Sequence, residues 1–142
     1  MKKTQKRLGN KGFSLVELIV VIAIMAVLVG VLAPTLIRNV EKSRKSKDDQ
    51  NLDAIKEAIQ VTLQDEKAYA AAVPSTGSTT IITIDDAGYN VDITDSYFTD
   101  EFEDNLQLPA TTKLSSKDYK GKKVVFSVNT KGTVEQAAPT DK

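Results

Sequence analysis

Apolar and polar positions divide the chain into three regimes. Residues 18–33 read L-I-V-V-I-A-I-M-A-V-L-V-G-V-L-A, sixteen positions without a polar side chain, and Phe13, Leu15, Val16, Leu36 and Ile37 extend the run. As a helix, residues 13–37 would span roughly 37 Å at about 1.5 Å per residue, enough to cross a hydrocarbon core of about 30 Å. In the second regime Leu52, Ile55, Ile59, Leu63, Tyr69 and Val73 recur at near-helical spacing, which predicts a core-facing stripe. Residues 42–49 between them are polar all round, as expected of a solvated stretch or one that meets another subunit. The pattern predicts one interrupted helix from about residue 14 to residue 72, with Pro74 as its stop.

From Pro74 onward the periodicity shortens. Residues 79–85 and 89–94 are rich in β-branched side chains and flank the turn sequence D-D-A-G, which predicts a hairpin. Residues 95–108 suit a short helical turn capped by Thr99 or Asp100, with Pro109 marking its exit. A second hairpin is predicted where residues 122–128 and 132–136 bracket N-T-K-G, and residues 137–142 read as a frayed end. An antiparallel sheet packed on the helical stripe buries both apolar surfaces most simply, so the expected fold is α+β. The expected divisions are residues 1–12, 13–37, 38–73 and 74–142, the last two forming one head.

Composition narrows the chemistry. The chain of 142 residues has no cysteine and no histidine, which removes disulfides, thiolate chemistry, imidazole catalysis and ordinary zinc sites. No phosphate-cradling glycine loop and no nucleophile-base pair is present, so no enzymatic activity and no cofactor are expected. Charge is separated along the chain: Lys2, Lys3, Lys6, Arg7 and Lys11 precede the apolar run with no acid among them. Taking those five from the 19 basic residues leaves 14 against 19 acidic ones, so the remainder is acidic and unsuited to nucleic acid as its main partner.

A basic segment before an apolar run is also the general pattern of a secretory signal peptide. Glu17 inside the run, and the lack of a small-x-small site between the run and the charged stretch at 38–49, argue against that reading. The sequence Gly12, Phe13, Ser14, Leu15, Val16, Glu17, after a short basic leader and before an apolar helix with Pro34, resembles the class III leader of type IV prepilins. The resemblance implies cleavage between Gly12 and Phe13 by a prepilin peptidase and methylation of the new Phe13 amine. It also implies a homopolymeric surface filament, built from a membrane pool by an assembly ATPase and a membrane platform. Such a subunit is held in the cytoplasmic membrane by a single span, head outside, and reaches the cell surface on assembly. Many family members have glycine where Ala26 stands; here Gly30 follows one turn later.

A carboxylate within an apolar run costs a few kcal/mol if left unpaired at depth, so Glu17 is a candidate functional residue. The resemblance implies that it meets the Phe13 amine of a neighbouring subunit and sets filament register; a hydrated position at the membrane interface is the plain alternative. Gly30 and Pro34 predict a kink at which the helix loosens. Asp85, Asp86, Asn90, Asp92 and Asp95 offer oxygen ligands within eleven residues, a weak calcium candidate whose spacing is not that of an EF-hand. Eight acids between residues 68 and 112, followed by Lys113, Lys117, Lys120, Lys122 and Lys123, suit either complementary contacts between heads or two solvated faces. Three functions follow: a pilus subunit serving adhesion, motility or aggregation; a pseudopilin of type II secretion or competence pilus subunit; and a tethered exported domain that never polymerises.

Overall fold

The computed structural model describes residues 12–109 and 111–142. The leader cations Lys2, Lys3, Lys6, Arg7 and Lys11 therefore lie outside the described residues. In chain order the elements are α1 (Leu15–Thr62), α2 (Glu66–Ala72), β1 (Ser78–Ile84), β2 (Tyr89–Val91), α3 (Ser96–Asn105), β3 (Lys122–Asn129), β4 (Val134–Gln136) and β5 (Thr140–Asp141). The chain divides into two units, with the boundary between Asn39 and Val40. The fold is α+β, a long amino-terminal helix with a small antiparallel sheet.

In the first unit α1 begins just after Ser14 and continues through Gly30 and Pro34 rather than ending at the proline. Proline has no N–H, so the carbonyl four residues earlier, that of Gly30, loses its helical donor. Both residues expected to loosen the helix thus belong to the same missing hydrogen bond.

In the second unit the carboxyl-terminal part of α1 buries Leu52, Ile55, Ala58 and Ile59 against one face of the sheet. Strand order is β2-β1-β3-β4, all antiparallel, with β5 pairing to the start of β3. Along β3, Val124, Phe126 and Val128 are buried while their neighbours are half-exposed, the alternation of a sheet with one face on the core. In β1 the adjacent Ile81 and Ile82 are both buried because the register slips between Thr80 and Ile82, a bulge that turns two consecutive side chains inward. Helix α3 closes the core with Phe98, Phe102 and Leu106, the two phenyl rings lying parallel at 6.3 Å.

Four expectations are sharpened or corrected. Helix reaches residue 72 as expected but as two helices: α1 ends at Thr62, a tight turn follows, and the Asp65 carboxylate caps α2 by accepting from Lys67 N and Ala68 N. That turn resets the helical phase, so Ala68 and Ala72 are buried and Tyr69, expected in the stripe, is exposed. Asp95 caps α3, at 3.0 Å from Phe98 N, in place of Thr99 or Asp100. The chain end is not frayed, since β5 pairs Lys122 with Asp141 and Lys123 with Thr140.

Candidate functional site

The amino-terminal segment is built around Ser14 and Glu17. Ser14 N–H donates to Glu17 Oε2 at 2.8 Å, and Ser14 Oγ accepts from Val16 N–H at 3.3 Å. This is a capping box, in which the serine and a glutamate three residues on satisfy amides that a helix start leaves unpaired. The pattern S-L-V-E was legible in the sequence, yet Glu17 was read only through its charge. Glu17 Oε1 has no hydrogen-bond partner among the described residues. One oxygen therefore holds the helix start and the other is open to a partner.

Phe13, at the expected new amino terminus, is 92% exposed. From Phe13 to Ile37, seventeen large apolar side chains stand exposed, and the most apolar window of the helix has mean hydropathy 3.1 with none of it buried. At about 1.5–3 kcal/mol per side chain, leaving these in water forgoes more than about 25 kcal/mol, well beyond the usual stability of a domain of about 5–15 kcal/mol. This surface requires a bilayer or other protein. Gly30 has nothing within 4 Å of where a Cβ would stand, so its role is local backbone freedom rather than close packing within the chain.

Residues 42–49, expected to be solvated or to meet another subunit, are exposed except for Asp48, and with Glu41 they also hold the segment 115–119. Asp48 is wholly buried and accepts from Ser115 N at 2.9 Å, Ser115 Oγ at 3.2 Å and Ser116 N at 2.7 Å. Glu41 accepts from Lys117 N, and Asp49 accepts from Tyr119 Oη at 2.9 Å. Lys45 pairs with Asp118 at 2.6 Å; the hydrogen bond raises the lysine and lowers the aspartate from their ordinary values. Burial, and then the bond to Asp49, pushes the Tyr119 phenol up to about 12.

Of the oxygen ligands proposed for calcium, the four aspartates are each engaged within the fold. Asp85 accepts from Ala87 N, Gly88 N and Lys142 Nζ, the last at 2.9 Å, and Asp86 accepts from Gly121 N and Lys142 Nζ. Their carboxyls lie below the ordinary range, chiefly through the Lys142 ammonium. Asp92 accepts from Thr83 Oγ1 at 2.6 Å and Asn90 Nδ2 at 2.8 Å, and Asp95 caps α3. Among the described residues no group of three or more acidic side chains is gathered so as to hold a metal ion.

Residues 7–33 match a family model described as the prokaryotic N-terminal methylation motif, the class III leader signature of type IV pilins. The match takes in Gly12, Phe13, Glu17 and Gly30 and stops one residue before Pro34. No curated protein and no solved structure matches the chain. The motif and the exposed apolar helix support a membrane-anchored precursor of the type IV pilin-like or pseudopilin kind, processed by a prepilin peptidase. They suggest a structural subunit rather than an enzyme.

Proposed function

We propose that the chain is a structural subunit of a type IV pilus, cleaved after Gly12, methylated at Phe13 and polymerised into a surface filament that serves adhesion, motility or aggregation. The carrying observation is the unpartnered apolar surface of residues 13–37, with Glu17 near its start and one carboxylate oxygen open. A permanent membrane anchor satisfies the apolar surface but leaves the second Glu17 oxygen to interfacial water. A filament core satisfies both: neighbouring helices replace lipid, and the Phe13 amine of one subunit neutralises Glu17 of the next. The carbonyl of Gly30, left without its donor by Pro34, gives the helix a place to loosen as it leaves the bilayer.

Assembly on this reading draws on the prepilin peptidase, an assembly ATPase and a membrane platform, and the principal partner is the chain itself. A pseudopilin of type II secretion or a competence pilus subunit would share every feature of the first unit. Mass spectrometry of filaments sheared from cells tests the proposal. The expected product begins at a methylated Phe13 and is a major component of the sheared material. Filaments that lack the chain, from cells that hold it processed in the membrane, would reduce it to a tethered exported domain.

A further inference from the structure

In the second unit a cavity of about 480 Å³ is lined by Arg44 from α1, by Asp86, and by Lys113, Leu114, Ser115, Ser116, Lys117 and Lys120. Four cationic residues thus border one space. The single acid among them, Asp86, is already engaged by Lys142 and by Gly121 N–H. Lys113, Lys117 and Lys120 are exposed and make no ion pair among the described residues, and Arg44 reaches Glu41 only at 3.9 Å. Like charges crowded without counter-charge repel one another, so the arrangement is stabilised by an anion placed among them. Ser116 supplies a second, independent feature. It is 1% exposed, and its hydroxyl is the one buried side-chain polar atom without a hydrogen-bond partner among the described residues. A buried hydroxyl is ordinarily paired, and Ser116 is one of the residues that border the cationic cavity.

We propose that this cavity binds a phosphate group. A guanidinium fork and several ammonium point charges suit a multiply charged tetrahedral oxyanion, whereas a single carboxylate would offset only one of the four cations. The volume exceeds that of a phosphate alone, leaving room for the group that carries it. The segment is held in place for this purpose without using its lysine side chains: Asp48 and Glu41 grip the amides of Ser115, Ser116 and Lys117, and the ammonium groups of Lys113, Lys117 and Lys120 are left over. The site does not depend on polymerisation and is testable on the monomer.

The test uses the full chain in phosphatidylcholine nanodiscs, following the amide resonances of Ser116 and Lys117 by NMR. Inorganic phosphate is titrated at constant ionic strength, and a second sample replaces part of the lipid with phosphatidylglycerol. Saturable shifts with inorganic phosphate support a soluble phosphate source. Shifts only in the phosphatidylglycerol discs support a lipid headgroup in the same cavity. The triple variant Lys113→Gln/Lys117→Gln/Lys120→Gln is expected to weaken either effect by roughly 3-fold to 100-fold, the range for three exposed ion pairs. The single variant Lys120→Gln should weaken it measurably, and unshifted Ile59 and Phe126 amides report an intact head. Equal shifts with sodium chloride, or shifts untouched in the triple variant, overturn the proposal. So do shifts that appear only as protein concentration rises, which would make the occupant the acidic face of α3 on a second copy.

Discussion

Replacing Glu17 by glutamine separates the two tasks assigned to its carboxylate. Glutamine retains a side-chain oxygen that can accept from Ser14 N–H, as the capping box allows glutamate or glutamine at this position. Capping bonds of this kind are worth about 0.5–2 kcal/mol, and that contribution survives in Glu17→Gln. The ion pair to a neighbour's Phe13 amine does not survive. Removing one partner of a buried pair costs about 3–5 kcal/mol, which weakens each subunit addition by roughly 100-fold to 1000-fold or more. The glutamine precursor should therefore show unchanged helicity by circular dichroism in detergent and an unchanged cleavage product on gels. Its sheared filament yield should fall at least about 100-fold, in keeping with that loss. Glu17→Leu should lose filaments equally and fray the first helical turn as well. Filaments at the normal yield from Glu17→Gln would refute the reasoning, because the carboxylate would then be no more than a helix cap.

Three further outcomes are expected within the second unit. Asp48→Ala leaves the buried Ser116 amide and two partly buried Ser115 donors without their acceptor, a loss of about 2–5 kcal/mol. This should lower the thermal midpoint by about 10 °C or more in the full chain, with Asp48→Asn milder. Gly132→Ala should cost about 1–3 kcal/mol by chemical denaturation. Its φ is +73°, and a Cβ there would stand 2.6 Å from Tyr69 Cε2; in a Tyr69→Ala background only the backbone part of the cost should remain. Tyr119, with its folded value pushed up to about 12, should ionise last among residues of ordinary phenol type in an ultraviolet titration. A raised phenol value means that the folded state holds its proton longer, so stability should fall as pH rises from about 10 through about 12. Asp49→Asn should shift that window downward.

The amino-terminal segment was legible because its information is contiguous: sixteen apolar positions, a neighbouring motif and one misplaced carboxylate lie within a few turns of helix. The hairpins were legible for a similar reason. Turn sequences with Gly88 and Gly132, both at positive φ, sit between strands whose partners are close in sequence. What failed was longer in range. β5 carries no apolar pattern and forms only because β3 leaves the backbone groups of Lys122 and Lys123 to be paired. Tyr69 was placed in the core stripe because a turn at 63–65 cannot be seen in hydropathy, although Asp65 before E-K-A is a fair capping signal. The calcium candidates are neighbours in sequence, while folding engages the aspartate oxygens among them with turn amides, Lys142, Thr83 and the start of α3.

The polar stretch before the stripe bears most directly on how assembly experiments are read. Positions 41, 45, 48, 52, 55, 59 and 62 advance by alternating steps of four and three, so they share one face of α1. That face does not change direction at residue 49; its partner changes. Opposite the sheet it meets side chains and is apolar at Leu52, Ile55 and Ile59, whereas opposite 115–118 it meets backbone N–H groups and is charged at Glu41, Lys45 and Asp48. A carboxylate is the right complement to a loop whose amides have no strand or helix to pair them. Acidic side chains just beyond a membrane span invite interpretation as filament contacts, and here Glu41 and Asp48 are internal to one head. Loss of filaments on substituting either residue therefore does not by itself report a contact between subunits, because the same change loosens the head. Only variants that keep the native thermal midpoint, such as Glu17→Gln, report on contacts between subunits.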